Sequence, residues 1–223
     1  MRQKKIPEFE GELRKHMIYV PEVIREVSGI RIFGKRIKSL VFSTDVAVIR
    51  NCNADAVIAV YPFTPQPIIS HSIINCSDMP VFCGVGGGTT TGKRVVQLAE
   101  DAEFQGAVGV VLNAPTVNET LEKVRSRIDI PIVITVVSER TDVGKRLESG
   151  ASILNVSGAA KTPQIIRNIR SKYPDVPIIA TGGPSEESIL ETIEAGANAI
   201  TFTPPTNAEI FRDKGKSKYT SGT

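Results

Sequence analysis

Val176-Pro177-Ile178-Ile179-Ala180-Thr181-Gly182-Gly183, followed at residue 196 by Gly196-Ala197-Asn198-Ala199-Ile200, carries both marks that organise this chain. The first run opens on a proline, which tolerates the first residue of a strand and holds its predecessor extended. The second opens on Gly-Ala, and glycine takes the left-handed conformation that ends a helix before a strand begins. Working outward, proline opens Met79-Pro80-Val81-Phe82 and Ile130-Pro131-Ile132-Val133. Gly-Ala opens Gly106-Ala107-Val108 and Gly150-Ala151-Ser152-Ile153, and Asn53-Ala54-Asp55-Ala56-Val57 is a weaker copy of that mark. The unit is strand then helix, repeated.

Eight strands follow from this punctuation: 38–43, 56–61, 81–84, 107–112, 132–137, 152–156, 178–181 and 199–203. They read as nearly continuous apolar runs, the pattern of parallel strands buried on both faces. Helical composition fills 93–105, 117–127, 141–149, 163–172 and 186–195, with capping boxes at Thr116-Val117-Asn118-Glu119 and Thr206-Asn207-Ala208-Glu209. The segment 62–78 carries Pro62, Pro65 and Pro67 and is expected to be a loop over the mouth with a short helix around 68–74. Such alternation builds either a closed barrel or an open doubly wound sheet. The two-residue punctuation repeats without the reversal that an open sheet requires, which favours the closed α/β form, a (β/α)8 TIM barrel. Its length agrees, 223 residues against ~250 for the type. Residues 1–36 form an N-terminal extension with helical stretches in 10–27 and a hairpin at 30–37. Residues 37–212 form the barrel, and 213–223 a basic tail.

Composition is that of an ordinary globular chain, 41% hydrophobic and 23% charged. The net charge of +3 is too small to imply nucleic acid, and its excess sits in Arg2-Gln3-Lys4-Lys5 and around Lys214, Lys216 and Lys218. No apolar stretch is long enough for a membrane span and no signal peptide is evident. Cys52, Cys76 and Cys83 are too few and too widely spaced for a disulfide framework or a zinc site. The expectation is a cytoplasmic protein, with a homo-oligomeric assembly left open.

In such a barrel, chemistry gathers at the carboxyl ends of the strands. Asp45 and Glu139 are the acid–base candidates there, either as a catalytic pair in one pocket or as caps of the helices that follow. Asn113, Asn155 and Thr181 are candidates for orienting a substrate. Gly182 and Gly183 lead into a helix and could bring backbone N–H groups to a phosphate, or only make a tight turn. Gly87 to Lys93 fits G-x-x-x-x-G-K, yet Arg94 stands where a Mg²⁺-binding hydroxyl belongs. What remains is an anion loop or lid using Gly86, Gly87, Gly88 and Lys93. A Cys83–His71 nucleophilic pair competes with a simple buried cysteine.

The run 178–183 with 196–200 resembles the end of the ribulose-phosphate-binding barrels, which include sugar-phosphate epimerases, histidine- and tryptophan-pathway barrels and keto-acid-phosphate aldolases. The resemblance implies a small phosphorylated metabolite as ligand. Two departures stand out. Thr203-Pro204-Pro205 ends the eighth strand where that group offers an N–H to the phosphate, and proline has none. Asn155 stands about where the aldolases carry their Schiff-base lysine, with Lys161 beyond the strand. The sequence therefore points to isomerase- or epimerase-like proton transfer, with a hydrolase or a non-catalytic ligand-sensing barrel as alternatives. No cofactor is required, and Mg²⁺ is left open.

Overall fold

The computed structural model describes residues 6–9, 11–12 and 16–212. The basic stretches at 1–5 and 213–223 lie outside the described residues. Among the described residues there are ten strands: β1 Ile30–Ile32, β2 Lys35–Ile37, β3 Ser39–Phe42, β4 Ala56–Ala59, β5 Val81–Gly86, β6 Gly109–Leu112, β7 Ile132–Val136, β8 Ile153–Val156, β9 Ile178–Thr181 and β10 Ala199–Phe202. The last eight close a parallel barrel in the order β10-β3-β4-β5-β6-β7-β8-β9. Around it run α1 Val46–Arg50, α2 Pro67–Cys76, α3 Lys93–Phe104, α4 Asn118–Arg125, α5 Val143–Glu148, α6 Thr162–Lys172 and α7 Glu186–Glu194. This is the (β/α)8 architecture expected from the punctuation.

Alternation along the strands divides the core in two. Leu40, Ile58, Phe82, Val111, Ile153 and Ile179 face the axis, while Val41, Val57, Cys83, Val110, Leu154 and Ile200 face the helices. Phe82 fills the axis because β6 offers Gly109 opposite it, where a Cβ would lie 2.7 Å from the ring. That pairing of a large with a small residue is how a packed barrel interior reaches crystal-like density.

The hairpin β1–β2 pairs Ile32 with Lys35, leaving a two-residue turn. Phe33 at φ 45° and Gly34 at φ 82° both take the left-handed conformation that such a turn demands. Ile30, Ile32 and Ile37 pack against the axial residues at the amino-terminal end of the strands. They seal the bottom, so the opposite end is the open one. Upstream, the described part of 10–27 forms only a short 3-10 turn, Glu22–Glu26, whose Ile24 is buried. Pro21 precedes that turn at ψ 130°, and extended backbone there interrupts a longer helix.

Two local expectations are corrected and a third holds. The helix expected around 68–74 is longer, because Pro67 sits at its first position, where the missing N–H costs nothing. Thr116 does not cap α4: the helix begins after Val117, which offers no side-chain cap. The Thr116 side chain is instead buried at 5% exposure and faces the loop after β5. At the other end, Thr206 and Glu209 do form their box, with Thr206 N donating to Glu209 Oε2 at 2.7 Å and Glu209 N to Thr206 Oγ1 at 3.3 Å.

Candidate functional site

At the open end the axial face of the barrel turns polar. Following β7 to β10, the last inward-facing side chains are Thr135, Asn155, Thr181 and Thr201, one per neighbouring strand, as the registers Thr135↔Asn155 and Thr201↔Thr181 show. Asn155 Nδ2 lies 3.4 Å from Thr135 Oγ1, and Thr181 Oγ1 donates to Ser157 Oγ at 3.1 Å. Asn155 Oδ1 and Thr201 Oγ1 are buried with no protein partner. Asn113, after β6, extends this arc toward the glycine loop. Thr135 and Thr201 are not among the candidates expected from the sequence; the inward alternation within the strands is the signal that marks them.

A cleft of about 220 Å³ opens where β4, β5 and β6 end, lined by Tyr61, Phe63, Gly86, Gly87, Gly88 and Asn113 among others. Its floor is fixed by backbone: Asn113 N donates to Gly86 O at 3.0 Å, and Gly87 N to Thr90 O at 3.1 Å. Arg146 of α5 holds the far side, donating to Ala114 O, Thr116 O and Asn118 Oδ1 and so positioning the turn that carries Asn113. The Tyr61 hydroxyl accepts the Gln66 N–H at 3.0 Å and keeps its own proton. Lys93 is exposed as the first residue of α3 and does not line the cleft. That helix starts on Gly92 with no side-chain cap and no acid in its first turn.

The other glycine pair sits differently. α7 is closed by a box in which Ser188 N donates to Ser185 Oγ and Ser185 N to Ser188 Oγ, and its first turn carries Glu186 and Glu187. The backbone N–H of Glu187 and the side chain of Ser185 hold the exposed Glu187 carboxyl below its usual range. A Cβ on Gly182 would strike Ile200 and Ile189, and Gly183 has φ 86° with Ser188 against the place of its Cβ, so packing and turn geometry account for both glycines.

The two carboxylates do not share a pocket. Asp45 caps α1, its Oδ1 accepting from Ala47 N at 2.9 Å and Val48 N at 3.2 Å, while Oδ2 accepts from Asn207. Glu139 turns outward to Asn168 of α6, 3.0 Å away, in a groove of about 260 Å³ between α5 and α6. The proton-transfer pair expected from the sequence is thus pulled apart, each member by a nearby donor. Asp45→Ala is expected to cost about 1 kcal/mol as a lost cap, read as a Tm lower by roughly 2–4 °C, with ligand binding unchanged. Lost binding at unaltered Tm would restore Asp45 to the site.

Cys83 is fully buried, its thiol pushed up to about 11 chiefly by burial, and it hydrogen-bonds Ser70 rather than His71. A thiol so placed is a poor nucleophile. Among the described residues no three His, Cys, Asp or Glu side chains gather to hold a metal. Mg²⁺ takes one or two carboxylates along with waters, and the amides and hydroxyls of the arc do not supply that set. No helix among the described residues is long and apolar enough to cross a membrane.

No family model matches the chain. A curated 4-hydroxy-tetrahydrodipicolinate synthase from Methanothrix thermoacetophila is 27% identical over 122 residues, 51% of this chain and 41% of the synthase. The match thus spans about two fifths of that relative's length. Among solved structures, 2,3-dimethylmalate lyase, a PEP mutase/isocitrate lyase superfamily member, superposes with a TM-score of 0.63 at 15% identity, covering 88% of this chain and 80% of the lyase. Phosphonopyruvate hydrolase, in complex with oxalate and Mg²⁺, superposes with a TM-score of 0.59 at 11% identity over 83% and 93%. These likenesses establish the (β/α)8 barrel. They do not single out the ribulose-phosphate-binding group.

Proposed function

We propose that this chain is an enzyme that binds a small anionic metabolite across the open end of the barrel and acts on it by proton transfer. The observation that carries this reading is the polar arc with Asn155 Oδ1 and Thr201 Oγ1 left buried without protein partners. Each orphan costs about 1–3 kcal/mol, and buried polar groups are otherwise satisfied almost everywhere in folded proteins. A ligand seated on the arc would recover that cost.

Between the two glycine loops, the one after β5 suits an anion better. The α3 terminus is uncapped, free of acids and flanked by Lys93 and Arg94, whereas the α7 terminus is capped and acidic. Isomerisation and carbon–carbon cleavage both develop charge on an enolate-like oxygen, which needs prearranged donors. Asn155 Nδ2 and the Thr135 hydroxyl supply them, and Tyr61, which lines the cleft together with the loop after β5, adds a phenolic O–H. The names of the similar proteins, a synthase, a lyase and a hydrolase, support the reading of a small acid as substrate, and our reading keeps lyase chemistry beside isomerase or epimerase chemistry.

The test is thermal stabilisation by a panel of 2-oxo acids, 2-hydroxy acids and their phosphorylated counterparts, followed by mass spectrometry of each mixture. One class should raise the Tm. Asn155→Leu should weaken its binding at least about tenfold, or 1.4 kcal/mol. Tyr61→Phe should lower kcat by about 10² while sparing affinity. If no compound stabilises the protein, the reading fails. The outward turn of Asp45 and Glu139 favours one second reading, a ligand-sensing barrel, for which the stabilising compound would be recovered unchanged.

A further inference from the structure

We infer that the cavity of about 420 Å³ at the ends of β9 and β10 is a subsite for a hydrogen-bond-donating group of the ligand, a hydroxyl or an ammonium, and not for a phosphate. The inference rests on the reading that the open end binds a metabolite, and it adds the chemistry of one wall.

Thr201 lies on the axial face two residues beyond Ala199, is only 7% exposed, and lines this cavity with its Oγ1 unpartnered. Thr181, beside it, shares one hydrogen bond with Ser157 Oγ at 3.1 Å and keeps a lone pair to accept a second. At the rim stands the carboxylate of Glu186, which when ionised only accepts. Among the described residues no lysine, arginine or histidine lines the cavity. The α7 N-terminus, which would attract an anion at an open helix end, is already partly satisfied: the Ser185–Ser188 box takes the N–H groups of Ser185 and Ser188, and the Glu187 carboxyl takes its own N–H and supplies negative charge. A phosphate here would face the Glu186 carboxylate with no cation opposite it. A hydroxyl or ammonium would find partners for its protons and relieve the Thr201 orphan. Pro21, Ile24 and Ile189 give the cavity an apolar side, which suits the carbon face of a polyol or amino alcohol.

The full chain, labelled for NMR, is titrated separately with meso-erythritol, ethanolamine and inorganic phosphate while the Thr201 methyl and Gly183 amide signals are followed. Erythritol or ethanolamine should shift both signals saturably and phosphate should not. Thr201→Val keeps the shape and removes the hydroxyl, so it should weaken that response at least tenfold. Glu186→Gln alters an exposed side chain with little bearing on folding. It should weaken ethanolamine and spare erythritol if the group recognised is an ammonium, and spare both if it is a hydroxyl. A saturable phosphate response at Gly183, or none from either donor probe, overturns the inference. Lost metabolite stabilisation with these shifts intact would count against the wider functional reading alone, and the reverse pattern against this subsite alone.

Discussion

Gly87→Ala is expected to lower the melting temperature by about 6–12 °C, from roughly 3 kcal/mol of lost stability in a chain of this size, while Gly88→Ala next to it stays within about 0.5 kcal/mol of the parent. Gly87 has φ 89°, a conformation that L side chains rarely adopt. An added Cβ would also lie 2.4 Å from Thr116 Oγ1 and 2.6 and 2.7 Å from the backbone N and O of Asn113. Backbone atoms cannot rotate aside as a flexible side chain does, so the loop or the Asn113 turn must move. Gly88 has no neighbour within 4 Å and no positive φ. Melting curves by circular dichroism decide the point. Equal stability of the two variants would mean that the cleft floor is softer than its geometry implies. Since Asn113 moves with Gly87, the damaged variant should also lose ligand stabilisation, and Gly88→Ala should keep it.

Arg170→Met should be nearly as damaging, at about 3 kcal/mol, with Arg170→Lys recovering only part of it. From α6 this guanidinium donates to Gly196 O at 2.9 Å, Pro174 O at 2.8 Å, Val176 O at 2.6 Å and Asn198 Oδ1 at 2.6 Å. Asn198 passes the bond on by accepting Ile178 N at 2.9 Å and donating to Ser28 Oγ at 2.8 Å. One side chain thus ties the loops that enter β9 and β10 to each other and to the segment before β1. Burial lowers the pKa of this arginine and Asp175 offsets part of that, so the charge sits among carbonyls that have no other donor of this reach. Methionine leaves those carbonyls without this donor; a hydrogen bond to a charged group is worth about 1.5–3 kcal/mol net, and the expected loss is near that of one such bond because water reaches the exposed carbonyls in the variant. Lysine brings the charge but lacks the planar fork that reaches several acceptors at once. Urea unfolding would measure both. A loss under about 1 kcal/mol for the methionine variant would show that water replaces the guanidinium without penalty.

The barrel was legible in the sequence because its cause is local. Proline at the first residue of a strand and glycine at the end of a helix act through the φ of one residue, and the apolar runs between them report burial on both faces. The same holds for Phe33-Gly34 between β1 and β2 and for the Thr206–Glu209 box, whose partners lie within a few residues. Thr116 shows the limit. Its T-x-x-E spacing is as good, yet α4 starts one residue later, after Val117, and leaves Thr116 Oγ1 buried without a hydrogen-bond partner beside the loop after β5.

The site was legible only as a place. Position on a strand end follows from the repeat, so Asn113, Asn155 and Thr181 fall on the polar arc, with Thr135 and Thr201 added by alternation. The direction of a side chain and the fate of its hydrogen bonds depend on partners far along the chain. Asn207, 162 residues away, claims Asp45, and Asn168, 29 residues away, claims Glu139. Likewise Gly87, Gly88, Gly182 and Gly183 are one letter in the sequence. Tertiary packing made one of them a fixed floor, left one free, and pressed two against Ile200, Ile189 and Ser188. The sequence by itself determined at which end of the barrel the candidate site residues gather, since chain direction and strand order are set by local φ preferences and hydrophobic period. Only the tertiary structure decided which polar atoms there stay unpaired, because pairing is a property of two residues and the second is chosen by the fold.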